Sequence, residues 1–128
     1  MRYLTKSRFR LGIDCPSKLY YTKKENLYAN TKDLDTFMQA LASGGFQVEE
    51  LARLHYPGGK LIEDDRSSKS YYADALASTA EVLSKSDDIV IYEAAFSYEK
   101  LFIRTDILVK KGNDVKLIEV KSRSFDPK

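Results

Sequence analysis

Apolar residues recur at helical spacing in the first part of the chain and fall into short β-rich runs in the last part. The longest helical run lies between Asp33 and His55, where Gly44-Gly45 makes it either one kinked helix or two. Shorter helices are expected from Thr5 or Ser7 to Ile13, from Ser17 onward and over 71–84. One apolar stripe of the long helix is expected to face the rest of the fold. It comprises Phe37, Leu41, Val48, Leu51, Ala52 and His55.

Three β-rich runs follow the helices, at 89–96, 101–109 and 115–121. Gly112-Asn113 between the last two runs is a two-residue hairpin signal, with glycine first as a type II′ turn requires. A short strand is also expected at Leu61-Ile62. Helices followed by a meander are typical of an α+β fold, in which N-terminal helices pack on a three-stranded antiparallel meander.

The Gly112-Asn113 turn fixes a register in which Asp106 and Glu119 lie directly opposite each other. Two opposed carboxylates repel, and a divalent cation with oxygen ligands would offset that repulsion. Lys121 lies on the same face, opposite Arg104. The alternative is a surface network in which Arg104 and Lys121 neutralise the two acids without a metal.

Two adjacent glutamates on the long helix are expected to differ in exposure. Helical phase sets Glu49 at the edge of the apolar stripe, beside the sheet, and sets Glu50 on the far side, toward solvent. Glu93 could approach the same site from the first β-rich run, but an ordinary polar strand position is the favoured interpretation.

The composition is that of one globular domain with a core. The chain has 128 residues, of which 43% are hydrophobic and 31% charged, and it has one cysteine. A disulfide framework within the chain is therefore excluded, and we find no run of the about 20 apolar residues that spans a membrane. The polar start lacks the apolar stretch of a signal peptide, so the cytoplasm is the expected compartment.

Charge is distributed unevenly along the chain. Residues 1–32 hold eight Lys/Arg and two Asp/Glu, a net +6, whereas residues 33–128 hold 13 and 17, a net −4. Positive charge beside tyrosines is found on surfaces that follow a phosphate backbone, but at this charge density it is more often a solvated helical surface.

Three short motifs, in this order, resemble those of the PD-(D/E)XK nuclease superfamily. They are Gly45-x3-Glu49 on a helix, Arg104-Thr-Asp106-Ile-Leu, and Ile118-Glu119-Val120-Lys121. The wording of the strands and the segment Cys15-Pro-Ser-Lys-Leu-Tyr-Tyr21 is similar to the RecB-like branch, which includes CRISPR-associated exonucleases and uncharacterised bacterial relatives. The resemblance spans roughly residues 5–123.

The resemblance implies a Mg²⁺- or Mn²⁺-dependent DNA nuclease that acts in DNA repair or processing. It also implies that the fold is a partial restriction-endonuclease-like core. Asp106, Glu119 and Lys121 would be catalytic. The metal ligands would be Glu49, Asp106, Glu119 and the backbone carbonyl of Val120. DNA, as single strands or duplex ends, is the implied partner, and the expected contacts to it are Arg8, Arg10, Lys18 and Arg104.

The same resemblance gives the expected organisation of the chain. Residues 1–128 would form a single, truncated nuclease-like domain that is the N-terminal fragment of a longer protein. Its parts would be a basic helical segment at 1–32, helices with the first motif at 33–85, and a meander with the other two motifs at 89–123. Cys15 would be either one ligand of a 4Fe–4S cluster in that longer protein or a small buried apolar residue.

Two functions of other classes remain open. One is a non-catalytic nucleic-acid-binding module that uses the basic N-terminus, and the other is a structural fragment of a larger multidomain protein. Metal dependence distinguishes the nuclease from both, and salt-dependent DNA binding distinguishes the binding module from the structural fragment.

Overall fold

The computed structural model describes residues 3–22, 24, 26–27, 36–63 and 65–122. The expected helix start at Asp33 and the end of the expected 89–123 unit lie outside the described residues. The helices are α1 (Lys6–Asp14), α2 (Pro16–Tyr21), α3 (Thr36–Leu54) and α4 (Tyr71–Lys85). The strands are β1 (Leu4–Thr5), β2 (Lys60–Leu61), β3 (Asp88–Tyr98), β4 (Leu101–Lys111) and β5 (Asp114–Ile118).

The helices begin and end close to where the sequence signals predict. Thr5 caps α1, its side-chain oxygen accepting from the backbone N–H of Arg8 at 3.4 Å. Pro16 occupies the first turn of α2, where its missing N–H costs nothing. Helix α3 runs without interruption through Gly44-Gly45, so the single-helix alternative is the correct one.

The described part of the chain contains no helix with both the length and the apolar character needed to cross a membrane.

The fold is a mixed α and β structure built on a five-stranded mixed sheet. Strands β3, β4 and β5 form an antiparallel meander, as expected. The sheet is larger than the predicted three-stranded meander, because β1 pairs with β4 and β2 pairs with β3, both in parallel. Each added strand has only two residues, too short for a periodicity of two to identify it as part of this sheet.

The hairpin register follows the predicted turn. Lys111 pairs with Asp114 and Leu108 pairs with Leu117, and Gly112 has φ +58°, as the first central position of a type II′ turn requires.

One edge of β4 is shared by two short strands. Strand β1 pairs with the start of β4 at Leu101 and Phe102, whereas β5 pairs with its last five residues from Ile107 onward. Among the described residues, no strand covers the stretch of that edge from Ile103 to Asp106. The edge of the sheet is therefore open beside Asp106.

The last strand is shorter than predicted. It ends at Ile118 instead of residue 121, so Glu119 and Lys121 lie beyond the ladder. Where the ladder stops, the backbone N–H of Val120 donates to Oδ2 of Asp106 at 2.6 Å. A carboxylate side chain thus replaces the backbone acceptor that a continued strand would have used.

Helix α4 covers one face of the sheet. Ile91, Ala94 and Ala95 of β3 are fully buried and belong to the same hydrophobic cluster as Ala75 of the helix. The buried Thr79 hydroxyl donates to the carbonyl of Ala75 at 2.8 Å and accepts from the N–H of Ala95 at 2.9 Å. The bond from Ala95 to Thr79 fixes the position of α4 along β3.

The predicted apolar stripe of α3 is wrong in part. Phe37 and Leu51 are 67% and 61% exposed, and His55 is also exposed, whereas Val48 and Ala52 are partly buried. The helix approaches β3 through charged side chains as well as apolar ones, as described below, so the hydrophobic pattern gives its orientation only partly.

Tyr92 of β3 attaches the end of α3 to the sheet. Its hydroxyl donates to the carbonyl of Tyr56 and accepts from the N–H of Gly59 at 3.2 Å. A Cβ atom on Gly59 would lie 2.3 Å from Cζ of Tyr92, which is inside van der Waals contact. Glycine is therefore required at position 59 for steric reasons.

We expect Gly59→Ala to lower the free energy of unfolding by about 1–3 kcal/mol, because the added methyl group must displace the Tyr92 ring. Gly44→Ala is the matched control. Nothing lies within 4 Å of a Cβ at Gly44, and alanine is the better helix former, so this change should raise stability by up to about 1 kcal/mol. Urea unfolding of both variants measures the difference. Equal stability of the two would contradict the described contact.

Candidate metal and nucleic-acid site

Asp106 and the Glu119–Lys121 segment are adjacent at the open edge of β4. Ile107 pairs with Ile118, so Glu119 follows at the register position opposite Asp106. The 2.6 Å bond from the Val120 N–H to Asp106 holds the segment there although the strand has ended. The structure thus brings together the second and third predicted motifs.

Glu119 is paired with two lysines. The side chains of Lys6 and Lys121 both donate to its Oε1 atom. Hydrogen bonds from Lys121 and Lys6 lower the pKa of the Glu119 carboxyl, and the bond to Glu119 raises the pKa of Lys121. The expected neutralising network is therefore only partly correct, because the second cation is Lys6 from α1 and not Arg104.

Glu49 lies beside Glu93 instead of beside Asp106. Glu49 is half-buried, with 17% of its side chain exposed, and it accepts from Arg53 at 2.8 Å; Glu50 is exposed, as helical phase predicts. Burial, the hydrogen bond to Glu49 and its negative charge raise the pKa of Glu93 to about 7. The same hydrogen bond lowers the pKa of Glu49, as does Arg53. Below about pH 7 the pair therefore holds one proton, which resides mainly on Glu93.

Two arginines enclose this carboxyl pair. Nε of Arg104 lies 3.2 Å from Oε2 of Glu93, and the guanidinium of Arg53 lies 3.6 Å from Oε1. Arg104 is 10% exposed and also donates to the carbonyl of Ile62 at 2.7 Å and to the Tyr71 hydroxyl at 3.3 Å. Arg104 thus connects β3, β4, the segment after β2 and the start of α4.

The backbone of Glu93 is unusual. Its φ is +60°, a left-handed conformation that a non-glycine residue adopts in a strand at a cost of about 1–3 kcal/mol. It lies between the pairs Tyr92–Ile107 and Ala94–Thr105, so its register position faces Asp106. Glu93, Asp106 and Glu119 consequently occupy successive positions across three neighbouring segments.

Glu93 is the residue that the sequence analysis undervalued. It was interpreted as an ordinary polar position because the turn between the first two β-rich runs was not assigned to particular residues. In the structure the turn is Glu99-Lys100, and Tyr98 pairs with Leu101. Had that turn been assigned, the same counting that pairs Asp106 with Glu119 would have set Glu93 opposite Asp106. The strained backbone of Glu93 has no signal in the sequence.

The carboxylates form two groups and not one. Glu49 joins Glu93, whereas Asp106 joins the segment that carries Glu119. Among the residues that the structure describes, no three His, Cys, Asp or Glu side chains are gathered closely enough to hold a metal ion. The metal ligands named from the sequence therefore stay predictions.

Three of the four expected nucleic-acid contacts line one cavity. Arg8, Arg10 and Arg104 border it, whereas Lys18 is exposed on α2. Cys15, half-buried between α1 and α2, is a free thiol whose pKa is lowered by backbone hydrogen bonds at Lys18 and Ser17. One cysteine does not complete a four-cysteine cluster.

Comparisons of the chain with protein-family models, with curated proteins and with solved structures find no match.

We expect stability to fall as pH rises from 5 to 8, because of Glu93. Between the unfolded pKa of 4.5 and the folded pKa of about 7, the folded protein keeps a proton that the unfolded chain has released. The slope should be smaller than the about 1.4 kcal/mol per pH unit of one full proton, because Glu93 is partly exposed.

Urea unfolding at pH 5, 6, 7 and 8 measures this dependence as a difference between variants. Glu93→Gln keeps a hydrogen-bond donor toward Glu49 but has no titrating proton, so its profile should be flatter than that of the wild type. Glu50→Gln, on the exposed side of α3, should retain the wild-type slope. A wild-type slope in Glu93→Gln would refute the shared proton.

Proposed function

We propose that the chain is a metal-dependent nuclease that hydrolyses DNA phosphodiester bonds. The observation that carries the proposal is the hydrogen bond from Val120 to Asp106, which keeps a carboxylate of β4 beside the Glu-x-Lys segment at an open sheet edge. An isolated Glu-x-Lys sequence is common, and what supports its function here is an aspartate whose carboxylate accepts the backbone N–H of Val120, the residue between that glutamate and that lysine.

The donor set suits Mg²⁺ or Mn²⁺. The bond to Val120 engages Oδ2 of Asp106, and the lysines engage Oε1 of Glu119, so one further oxygen of each carboxylate remains for a cation. Hard cations of this kind prefer carboxylate and backbone carbonyl oxygens, which the Val120 carbonyl would add. A bound ion would lower the pKa of a water molecule and polarise the phosphate.

Lys121 would supply positive charge where negative charge accumulates at the phosphorus. Its side chain is 66% exposed and its ammonium group is bonded to Glu119, so Lys121 lies at the surface that a DNA strand would approach. Glu49 would contribute through its contact with Glu93, whose register position faces Asp106.

A non-catalytic nucleic-acid-binding module is the second candidate. The observation that favours it is the pairing of Glu119 with both Lys6 and Lys121, since the two ammonium groups already balance this carboxylate without a metal ion. A binding module would use the basic cavity beside α1 and need none of the carboxylates.

Asp106→Asn and Lys121→Ala should each reduce Mn²⁺-dependent cleavage of DNA by the chain at least about 100-fold, because each removes charge that acts at the scissile phosphate. The matched controls are the exposed Asp88→Asn and Lys111→Ala, which should cleave at the wild-type rate. Release of labelled nucleotides from a DNA substrate measures cleavage. Salt-dependent binding of DNA by a wild-type chain that cleaves nothing would favour the binding module instead.

A further inference from the structure

A cationic cavity lies between α1, the start of α4 and the start of β4. Its volume is about 530 Å³, within the about 300–1,000 Å³ range of pockets that hold small ligands. Five cationic side chains line it, and none of its described lining residues is acidic. The five cationic residues are Lys6, Arg8, Arg10, Arg66 and Arg104.

The cavity includes the first turn of α1, where backbone N–H groups and the helix dipole favour an anion. Helices commonly carry Asp or Glu in this turn, but α1 has none there and has Lys6 and Arg8 instead. Positive side chains at the positive end of a helix oppose folding. An anionic ligand at this helix end would instead be attracted both by the helix dipole and by the two basic side chains.

Within the part of the chain that the structure describes, two of the cations, Arg8 and Arg10, are not in an ion pair. Lys6 pairs with Glu119 and Arg104 pairs with Glu93, whereas Arg8 and Arg10 make no ion pair with a carboxylate among the described residues. The Nε–H of Arg8 is buried and has no acceptor in that part of the chain. A buried donor of a charged group without a partner is costly, and a phosphate oxygen would satisfy it.

The cavity borders the candidate metal site. Lys6 is common to both, since it lines the cavity and donates to Glu119. Arg10 also lines the cavity, and its positive charge repels that of Lys121, which partly offsets the rise in the pKa of the lysine. An anion in the cavity would therefore lie next to the side chains that are proposed to act on a phosphodiester.

We propose that this cavity binds the terminal phosphate monoester of a nucleic-acid strand. A monoester carries close to two negative charges at neutral pH, compared with one for a diester, and so matches the excess of unpaired cations better. The tyrosine and phenylalanine rings of Tyr71, Tyr72 and Phe102 form one wall, against which the terminal nucleotide fits. This inference rests on the proposed function, because it specifies strand ends as the substrate class.

The test is binding of a short single strand that carries a 5′-phosphate, a 3′-phosphate or no terminal phosphate, measured by fluorescence anisotropy in EDTA. A strand with the preferred terminal phosphate should bind about tenfold more tightly than the unphosphorylated strand. Because EDTA prevents metal-dependent cleavage, the result is independent of catalysis.

The variants assign the preference to the cavity. Arg8→Gln and the exposed Arg10→Gln should each reduce it to less than about twofold. The control Lys111→Gln, at the opposite end of β4, removes one charge outside the cavity and should retain the tenfold preference. Circular dichroism verifies that each variant is folded.

Three results would overturn the inference. One is equal affinity for all three strands, and another is a preference that persists in Arg10→Gln. The third is competition by a mononucleotide as strong as that of the phosphorylated strand, which would identify a free-nucleotide site. Metal-dependent cleavage without a terminal-phosphate preference would reject this inference alone, whereas a preference without cleavage would reject the nuclease proposal alone.

Discussion

The hydrogen bond from the Val120 N–H to the Asp106 carboxylate is the constraint on which the candidate site depends. Strand β5 ends at Ile118, and the described residues that follow it, 119–122, have no backbone ladder to keep them against β4. One charge-assisted bond of 2.6 Å keeps Glu119 and Lys121 near β4 without making them part of the strand. The side chain of Glu119 contacts Lys6 of α1, and Lys121 bonds to the same carboxylate.

Arg104 connects this site with the rest of the structure. Its buried guanidinium group lies against Glu93, the carbonyl of Ile62 and Tyr71, and it also borders the cationic cavity. Glu93 in turn bonds to Glu49 on α3. Glu49 and Glu93 together keep negative charge beside Arg104 even when they share one proton, so the acidic pair stabilises a guanidinium group that also lines the basic cavity.

The sequence predicted local features well and their arrangement in space less well. The Gly112-Asn113 turn yielded the β4–β5 register, and helical phase distinguished Glu49 from Glu50, because both depend on neighbours in sequence. The left-handed backbone of Glu93, the pairing of Lys6 with Glu119 and the parallel strand β1 depend on residues distant in sequence. The exposure of Phe37 was missed for a related reason, since the charged contact of Arg53 with Glu93 also orients α3.

Calorimetric titration of Mn²⁺ into the metal-free chain tests most directly whether Asp106 holds a cation. The account predicts binding at millimolar concentrations by the wild type and by Asp114→Asn, an exposed aspartate in the same hairpin, and loss of binding in Asp106→Asn. Asp106→Asn should remain folded, because an amide oxygen still accepts the Val120 N–H. Equal Mn²⁺ affinity in the wild type and Asp106→Asn would contradict the account, because the ion would then bind elsewhere.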